Sequence, residues 1–283
     1  MRKIGYVLPL FLSVALLLGA CGAVSDKTDG TQNAAKTVDI TLPDDGVHAD
    51  NATVINGGEL TVLKSYEDVA GLTVEINGGT LDLTASDDGI NAAGGNDNSG
   101  FGGPRGDAFG SASSSSYIKI TGGTVYVNAD GDGVDSNGSL EVSGGSLFVS
   151  GPTSNGDGAL DFDGNGIISA GTVIAVGSSG MAQNFGTSST QGSALISVGN
   201  RNASDKVTLT DEKGNVLAEY EPEKAYSTVV ISCPAMKQGG TYTVSAGDFS
   251  ETFTLTSLIY GGGAPNGGDR PNGGRPGGGG FGR

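Results

Sequence analysis

The sequence predicts an all-β chain, a right-handed parallel β-helix of about five coils with a small C-terminal antiparallel β cap. Three observations lead there: a Gly-Gly phrase that returns at a period of about 22 residues, an Asp-Gly phrase on the same beat, and apolar residues alternating with polar ones around each Gly-Gly. The composition agrees with a narrow, repetitive core. Of 283 residues 52 are Gly and only 36% are apolar, with no Trp, which is thin for an ordinary globule of this length.

The first residues read as an address rather than as part of the fold. Arg2 and Lys3 precede an apolar run, Tyr6 to Leu18, which closes in Leu18-Gly19-Ala20-Cys21. A charged start, a short apolar stretch and small residues at the cut make residues 1-20 a secretory signal, too short for an ordinary membrane span. Leu-x-x-Cys resembles the bacterial lipoprotein lipobox. It would make Cys21 the lipidated first residue of an exported chain, anchored to the outer face of the cytoplasmic membrane or at the cell surface. With Cys21 so used, Cys233 is left alone and no intrachain disulfide is expected. Residues 21-36, polar and poor in apolar side chains, read as a disordered tether.

The β-helix is expected over 37-176. Its first phrase runs Ile55-Asn-Gly-Gly-Glu-Leu-Thr-Val62, Ile76-Asn-Gly-Gly-Thr-Leu-Asp-Leu83, Ile120-Thr-Gly-Gly-Thr-Val-Tyr-Val127 and Val142-Ser-Gly-Gly-Ser-Leu-Phe-Val149, with a worn copy at Ile168-Ser-Ala-Gly-Thr-Val-Ile-Ala175. The first Gly stands at 57, 78, 122 and 144, and Ala170 is fifth, in steps of 21, 44, 22 and 26. Leu81 and Leu83 alternate with Asp82, Val125 and Val127 with Tyr126, Leu147 and Val149 with Phe148, the mark of strands with one buried face. A hairpin meander has no reason to hold such a register across different strands. Coils of short parallel strands do, because equivalent residues stack about 4.8 Å apart, and five coils make a rod roughly 24 Å long. Each Gly-Gly then fills a corner that needs positive φ or close backbone approach. The long step marks an insertion over 93-116, rich in Gly, Ser, Asn and Asp, expected as a loop thrown out from the stack.

The second phrase is acidic: Asp44-Asp-Gly-Val47, Asp87-Asp-Gly-Ile90, Asp130-Gly-Asp-Gly-Val134 and Gly156-Asp-Gly158, with Tyr66-Glu67-Asp68-Val69 in the missing place. Between Thr37 and Ala170 stand 20 acids and three bases. Superposed at rung spacing, Asp45, Glu67, Asp88, Asp132 and Asp157 would repel by roughly 1 kcal/mol per neighbour in water and about 3.5 at an effective dielectric near 20. They must splay into water, take up protons or share a cation. Calcium suits a site built of carboxylates and carbonyls. The one His and two Cys are too few for the usual zinc or copper sites. The expected calcium ligands are Asp44, Asp45, Asp87, Asp88, Asp130, Asp132 and Asp135, then Asp157, Asp161 and Asp163. Turn chemistry alone explains a single Asp-Gly, but not paired acids recurring in register. The net charge of -16 excludes nucleic acid as a natural partner.

Asp-Asp-Gly-Ile-Asn-Ala-Ala-Gly-Gly-Asn-Asp (87–97), Asp-Gly-Asp-Gly-Val-Asp-Ser-Asn-Gly (130–138), Gly-Ala-Leu-Asp-Phe-Asp-Gly (158–164) and Gly-Ser-Ser-Gly-Met-Ala-Gln (177–183) together resemble the bacterial carbohydrate-binding-domain lipoproteins. The resemblance spans about Thr37 to Tyr260. It implies a right-handed parallel β-helix akin to pectate lyases, associated with calcium and with binding cellulose and acidic plant polysaccharide. Two departures stand out: fewer N-terminal coils, and Glu67-Asp68-Val69 where the family has a glycine-bearing turn.

The outward position after each Gly-Gly runs through Asp82, Tyr126, Phe148 and Ile174, so Tyr126 and Phe148 are expected to stack on adjacent rungs and to meet sugar, unless Phe101 and Phe109 of the insertion cover them. Calcium would bridge a uronic acid polymer to the Asp ladder. The expected function is therefore calcium-dependent, non-catalytic binding of polysaccharide, either an acidic plant polymer such as pectate or cellulose, by a monomer at the bacterial surface. A calcium-dependent pectate lyase with Lys64 as base, and a structural surface protein with no sugar ligand, are the alternatives. No GxSxG elbow or P-loop is present.

Beyond residue 177 the beat stops. Segments 194–198, 206–210, 216–220, 227–232, 241–246 and 251–256 alternate like antiparallel strands, and 177-260 is expected to cap the open sheet edge. Residues 261-283 hold 12 Gly together with Arg270, Arg275 and Arg283 and read as a disordered tail.

Overall fold

The computed structural model describes residues 45–92 and 115–262. The signal, Cys21, the tether, Asp44, nearly all of the 93-116 insertion and the Gly/Pro/Arg tail lie outside the described residues. The chain is all-β, with no helix among the described residues. Accordingly, none of them belongs to a helix long and apolar enough to cross a membrane.

Eleven strands carry the Gly-Gly and Asp-Gly phrases: β1 (Val47–Ile55), β2 (Glu59–Ser65), β3 (Val69–Ile76), β4 (Thr80–Ala85), β5 (Ile90–Ala92), β6 (Tyr117–Ile120), β7 (Thr124–Ala129), β8 (Val134–Ser136), β9 (Ser139–Ser150), β10 (Asp161–Phe162) and β11 (Gly166–Gly177). They pair in parallel along three ladders. Strands after the Gly-Gly corners form one: β2, β4, β7, then the ends of β9 and β11. Strands before the corners form the second: the end of β1, the end of β3, β6, then the starts of β9 and β11. The third joins the starts of β1 and β3 with β5, β8 and β10. All lie in one mixed, curled 14-stranded sheet.

Period-two patterning sets which side chains turn inward. Val125 and Val127 are buried on β7 while Tyr126 between them is 38% exposed. They meet Ile118 and Ile120 of β6 and Val134 of β8 in one core. Such side chains hold the ladders together by apolar burial, at about 25 cal/mol per Å² removed from water. The corners explain the glycines. Gly58, Gly79, Gly123, Gly145 and Gly171, the second residue of every corner, all have positive φ between 74° and 99°. The first place tolerates Ala170; the second does not give up its glycine, because a Cβ at positive φ is strained.

The Asp-Gly turns need glycine for a different reason. A Cβ on Gly89 would lie 2.2 Å from Val127 Cγ1, and one on Gly133 would lie 2.3 Å from Val149 Cγ1. Gly133→Ala will lower unfolding stability by about 1–3 kcal/mol through overpacking, read as a fall in the urea midpoint at unchanged slope. Asp68 stands at the equivalent place one rung earlier. Its N–H donates to Asp88 O as Gly89 N–H donates to Asp132 O and Gly133 N–H to Gly158 O.

Seven further strands follow: β12 (Ser193–Arg201), β13 (Val207–Asp211), β14 (Val216–Tyr220), β15 (Tyr226–Ser232), β16 (Thr241–Ala246), β17 (Phe249–Thr254) and β18 (Ile259–Tyr260). They divide between two sheets. β15 pairs antiparallel with the end of β11 and with β12, and β18 adds to β12, so these three continue the large sheet. The rest form a separate antiparallel sheet in the order β14-β13-β16-β17. A second apolar cluster, including Ile174, Val176, Ile231 and Val244, joins them to β11. Cys233 is buried there, and burial pushes its thiol up. That environment suits packing rather than reactivity.

Candidate functional site

The turn ahead of the third ladder places Asp45, Glu67, Asp88 and Asp132 at equivalent positions, with Gly158 fifth: Gly46 N–H donates to Glu67 O, Gly89 N–H to Asp132 O and Gly133 N–H to Gly158 O. Asp157, aligned with this column by sequence, falls one residue earlier. The turn between β9 and β10 is longer than its counterparts, which shifts the register by one. Asp157 instead accepts a hydrogen bond from Ser154 Oγ at 2.7 Å.

Backbone amides of one rung bind carboxylates of the rung before. Asp132 N–H donates to Asp88 Oδ1 at 2.6 Å, and Gly158 N–H donates to Asp132 Oδ1 at 2.5 Å. These bonds draw the side chains along the column instead of letting them splay. Asp135, one residue into β8, completes a triad: ligand oxygens of Asp88, Asp132 and Asp135 lie within 4.8 Å of one another. Asp88 and Asp135 are 6% and 8% exposed.

Burial, then the charges of Asp135, Asp132, Asp87 and Glu67, push the Asp88 carboxyl well above the usual carboxylate range. Asp132 is pushed up to about 7, chiefly by burial; the Gly158 N–H opposes the shift, and the charges of Asp161, Asp157 and Asp87 add to it. Three crowded carboxylates out of water therefore require either protons or a cation. A buried amide lies beside Asp88. Asn91 is 1% exposed, and its Nδ2 donates to Glu67 Oε1 at 2.8 Å and to Asp88 Oδ2 at 3.5 Å, while its Oδ1 is buried with no hydrogen-bond partner among the described residues. A set of carboxylate oxygens suits a hard divalent cation, calcium above magnesium, because its geometry is not strictly octahedral.

The other acids named from the sequence stand outside that triad, although Asp87, Asp157 and Asp161 add their charge to it. Asp45 lies 2.9 Å from His48 Nδ1. Asp87 bonds the Tyr66 hydroxyl, which that hydrogen bond and burial push above its ordinary value. Asp130 is ion-paired to Lys224 Nζ at 2.8 Å. Asp161 pairs beside Asp135 and accepts from Gln183 Nε2 at 3.0 Å. Asp163 is half-buried and gives its N–H to Ser136 O. Lys64 is exposed on β2 and forms no ion pair with another described residue. Sequence reading missed Asn91, although a signal was there: it follows Asp-Asp-Gly-Ile at the place where Asp135 follows Gly-Asp-Gly-Val, and the two are paired in register.

A second feature lies on the outer face of the first ladder. Asp82, Tyr126, Phe148 and Ile174 are consecutive partners in register. Tyr126 and Phe148 stack with centroids 5.2 Å apart at 17°. Tyr220 of β14 stacks on Phe148 at 5.2 Å and 26°, and its hydroxyl pairs with Ser150 Oγ at 2.8 Å. These three rings, with Lys206, Glu219, Glu221 and Glu223, line a groove of about 410 Å³ between the two sheets. No periodicity announces Tyr220, because it arrives from the other sheet. Phe101 and Phe109 lie outside the described residues.

Fold and geometry together define an all-β protein with a buried acidic oxygen cluster on one column and an open aromatic groove on another. No protein-family profile, curated protein or solved structure matches the chain.

Proposed function

We propose that this chain is an exported, lipid-anchored protein that holds calcium and binds polysaccharide at the bacterial surface without cleaving it. In this reading the three ladders are the faces of a right-handed parallel β-helix; the four successive parallel pairings along each ladder and the positive-φ corners support it. The observation that carries the binding function is the Tyr126–Phe148–Tyr220 stack, of which Tyr126 is exposed and Phe148 and Tyr220 are half-buried, beside a polar rim. Aromatic side chains in an accessible groove are what sugar rings pack against. Asp88, Asp132 and Asp135 would hold calcium. The ion would neutralise the column, stiffen the turns and offer open coordination to carboxylates of an acidic polymer.

Incubating the unlipidated protein with pectate and with cellulose, in calcium or EDTA, tests the reading. Retention in calcium without unsaturated product is expected, and Tyr126→Ala will weaken retention at least tenfold. Product that disappears in Lys64→Ala would make the chain a lyase. No retention on any polysaccharide would leave only a structural role.

A further inference from the structure

We propose that the aromatic groove takes a cationic saccharide, a sugar bearing a free amine, in preference to a neutral or uronic one. This rests on the polysaccharide reading and names the substrate class for the aromatic face. The groove carries Glu219, Glu221 and Glu223 against one cation, Lys206. Lys206 Nζ already lies 3.4 Å from Glu219 Oε2. Glu223 accepts only the neutral amide of Asn128 at 2.8 Å, so that bond leaves its charge intact. Asp82, exposed on β4, is the register partner of Tyr126 and ends the aromatic run on that side. Four carboxylates and one ammonium thus surround three rings.

Burial pushes the Tyr220 hydroxyl up to about 12, with Ser150 opposing the shift and Glu223, Tyr126 and Asp82 adding to it. A uronate entering here meets three glutamates against one lysine. An amine-bearing sugar meets carboxylates at the rim and the Tyr126 ring, the accessible end of the stack at 38% exposure, which attracts cations. The acidic cluster at Asp88, Asp132 and Asp135 lies in a different column, so calcium held there would not reverse the charge of this groove.

Titration calorimetry at pH 6 and low salt in EDTA tests the proposal, using fully deacetylated chitooligosaccharide, its N-acetylated counterpart and an oligogalacturonate of equal length. The free amine should bind at least tenfold more tightly than either competitor, without calcium, and the advantage should fade in salt. Tyr126→Ala should lose at least tenfold. The double variant Asp82→Asn, Glu223→Gln should erase the discrimination between free and acetylated amine while the melting temperature holds, since both carboxylates are exposed. Equal or tighter binding of the acetylated sugar or the galacturonate overturns the proposal and leaves polysaccharide binding standing. Oligolysine of equal charge that binds as well and ignores Tyr126→Ala would show unspecific attraction to an acidic protein and overturn it too. Absence of binding to any sugar would sink both readings.

Discussion

Calcium added to metal-free protein at pH 8 will raise its melting temperature by roughly 5–10 °C once it exceeds Kd about a hundredfold, as expected for about 2.7 kcal/mol of linkage. The gain will shrink as pH falls through 7. Burial chiefly pushes Asp132 up to about 7 and holds Asp88 well above the usual carboxylate range. For a carboxylate raised on folding, the native state holds more protons than the unfolded one. Stability is then full below the unfolded pKa and is lost as pH rises toward the folded pKa. Metal-free protein should therefore melt at a higher temperature at pH 5 than at pH 8. Calcium replaces those protons, and must expel them to bind. The expected pattern is a calcium response large at pH 8 and small at pH 5, absent in the double variant Asp88→Asn, Asp135→Asn. Unchanged melting at pH 8, together with no calcium retained after dialysis, would refute the metal site.

Asp68→Asn will stabilise the protein at pH 8 by about 2 kcal/mol and remove part of its pH dependence. Asp68 is fully buried; its Oδ1 accepts from Ser65 Oγ at 2.5 Å and its Oδ2 has no hydrogen-bond partner among the described residues. Burial pushes its carboxyl from about 3.8 up to about 7, against the pull of Ser65 and with a smaller push from Asp82. Keeping the group charged at pH 8 costs roughly 4 kcal/mol on that shift. The asparagine gives back part of this, since its amide is buried with Ser65 as its neighbour. By the same sign rule the gain is confined to pH above about 4 and grows up to about 7. Urea unfolding at pH 5 and pH 8 measures it; equal stability of variant and parent at pH 8 would contradict the buried charge. The observation that makes this testable is positional: Asp68 occupies the place of Gly89 and Gly133, where a Cβ meets core valines. A carboxyl there has nowhere to go but inward.

Ladder order was legible in the sequence because both of its determinants are local. The two-residue alternation turns Leu81, Val125, Leu147 and Val173 inward regardless of context. The Gly-Gly corner requires positive φ at its second residue, and that anchors each strand to its counterpart. With anchor and alternation known, the column Asp82, Tyr126, Phe148 and Ile174 follows by counting. Counting failed at Asp157, where the long turn between β9 and β10 separates it from the nearest corner. It also could not divide the C-terminal strands between two sheets, since antiparallel alternation looks the same in either.

Composition and period therefore determined that the chain is all-β, acidic along one stack and aromatic along another. Only the tertiary structure decided which acids converge, joining Asp88, Asp132 and Asp135 with Asn91 while Lys224 draws Asp130 aside. It alone brought Tyr220 onto Phe148 and closed the groove with glutamates. Strand periodicity is written into neighbouring residues, but carboxylate crowding and ring stacking depend on distances between segments far apart in the chain, which packing sets and local pattern does not.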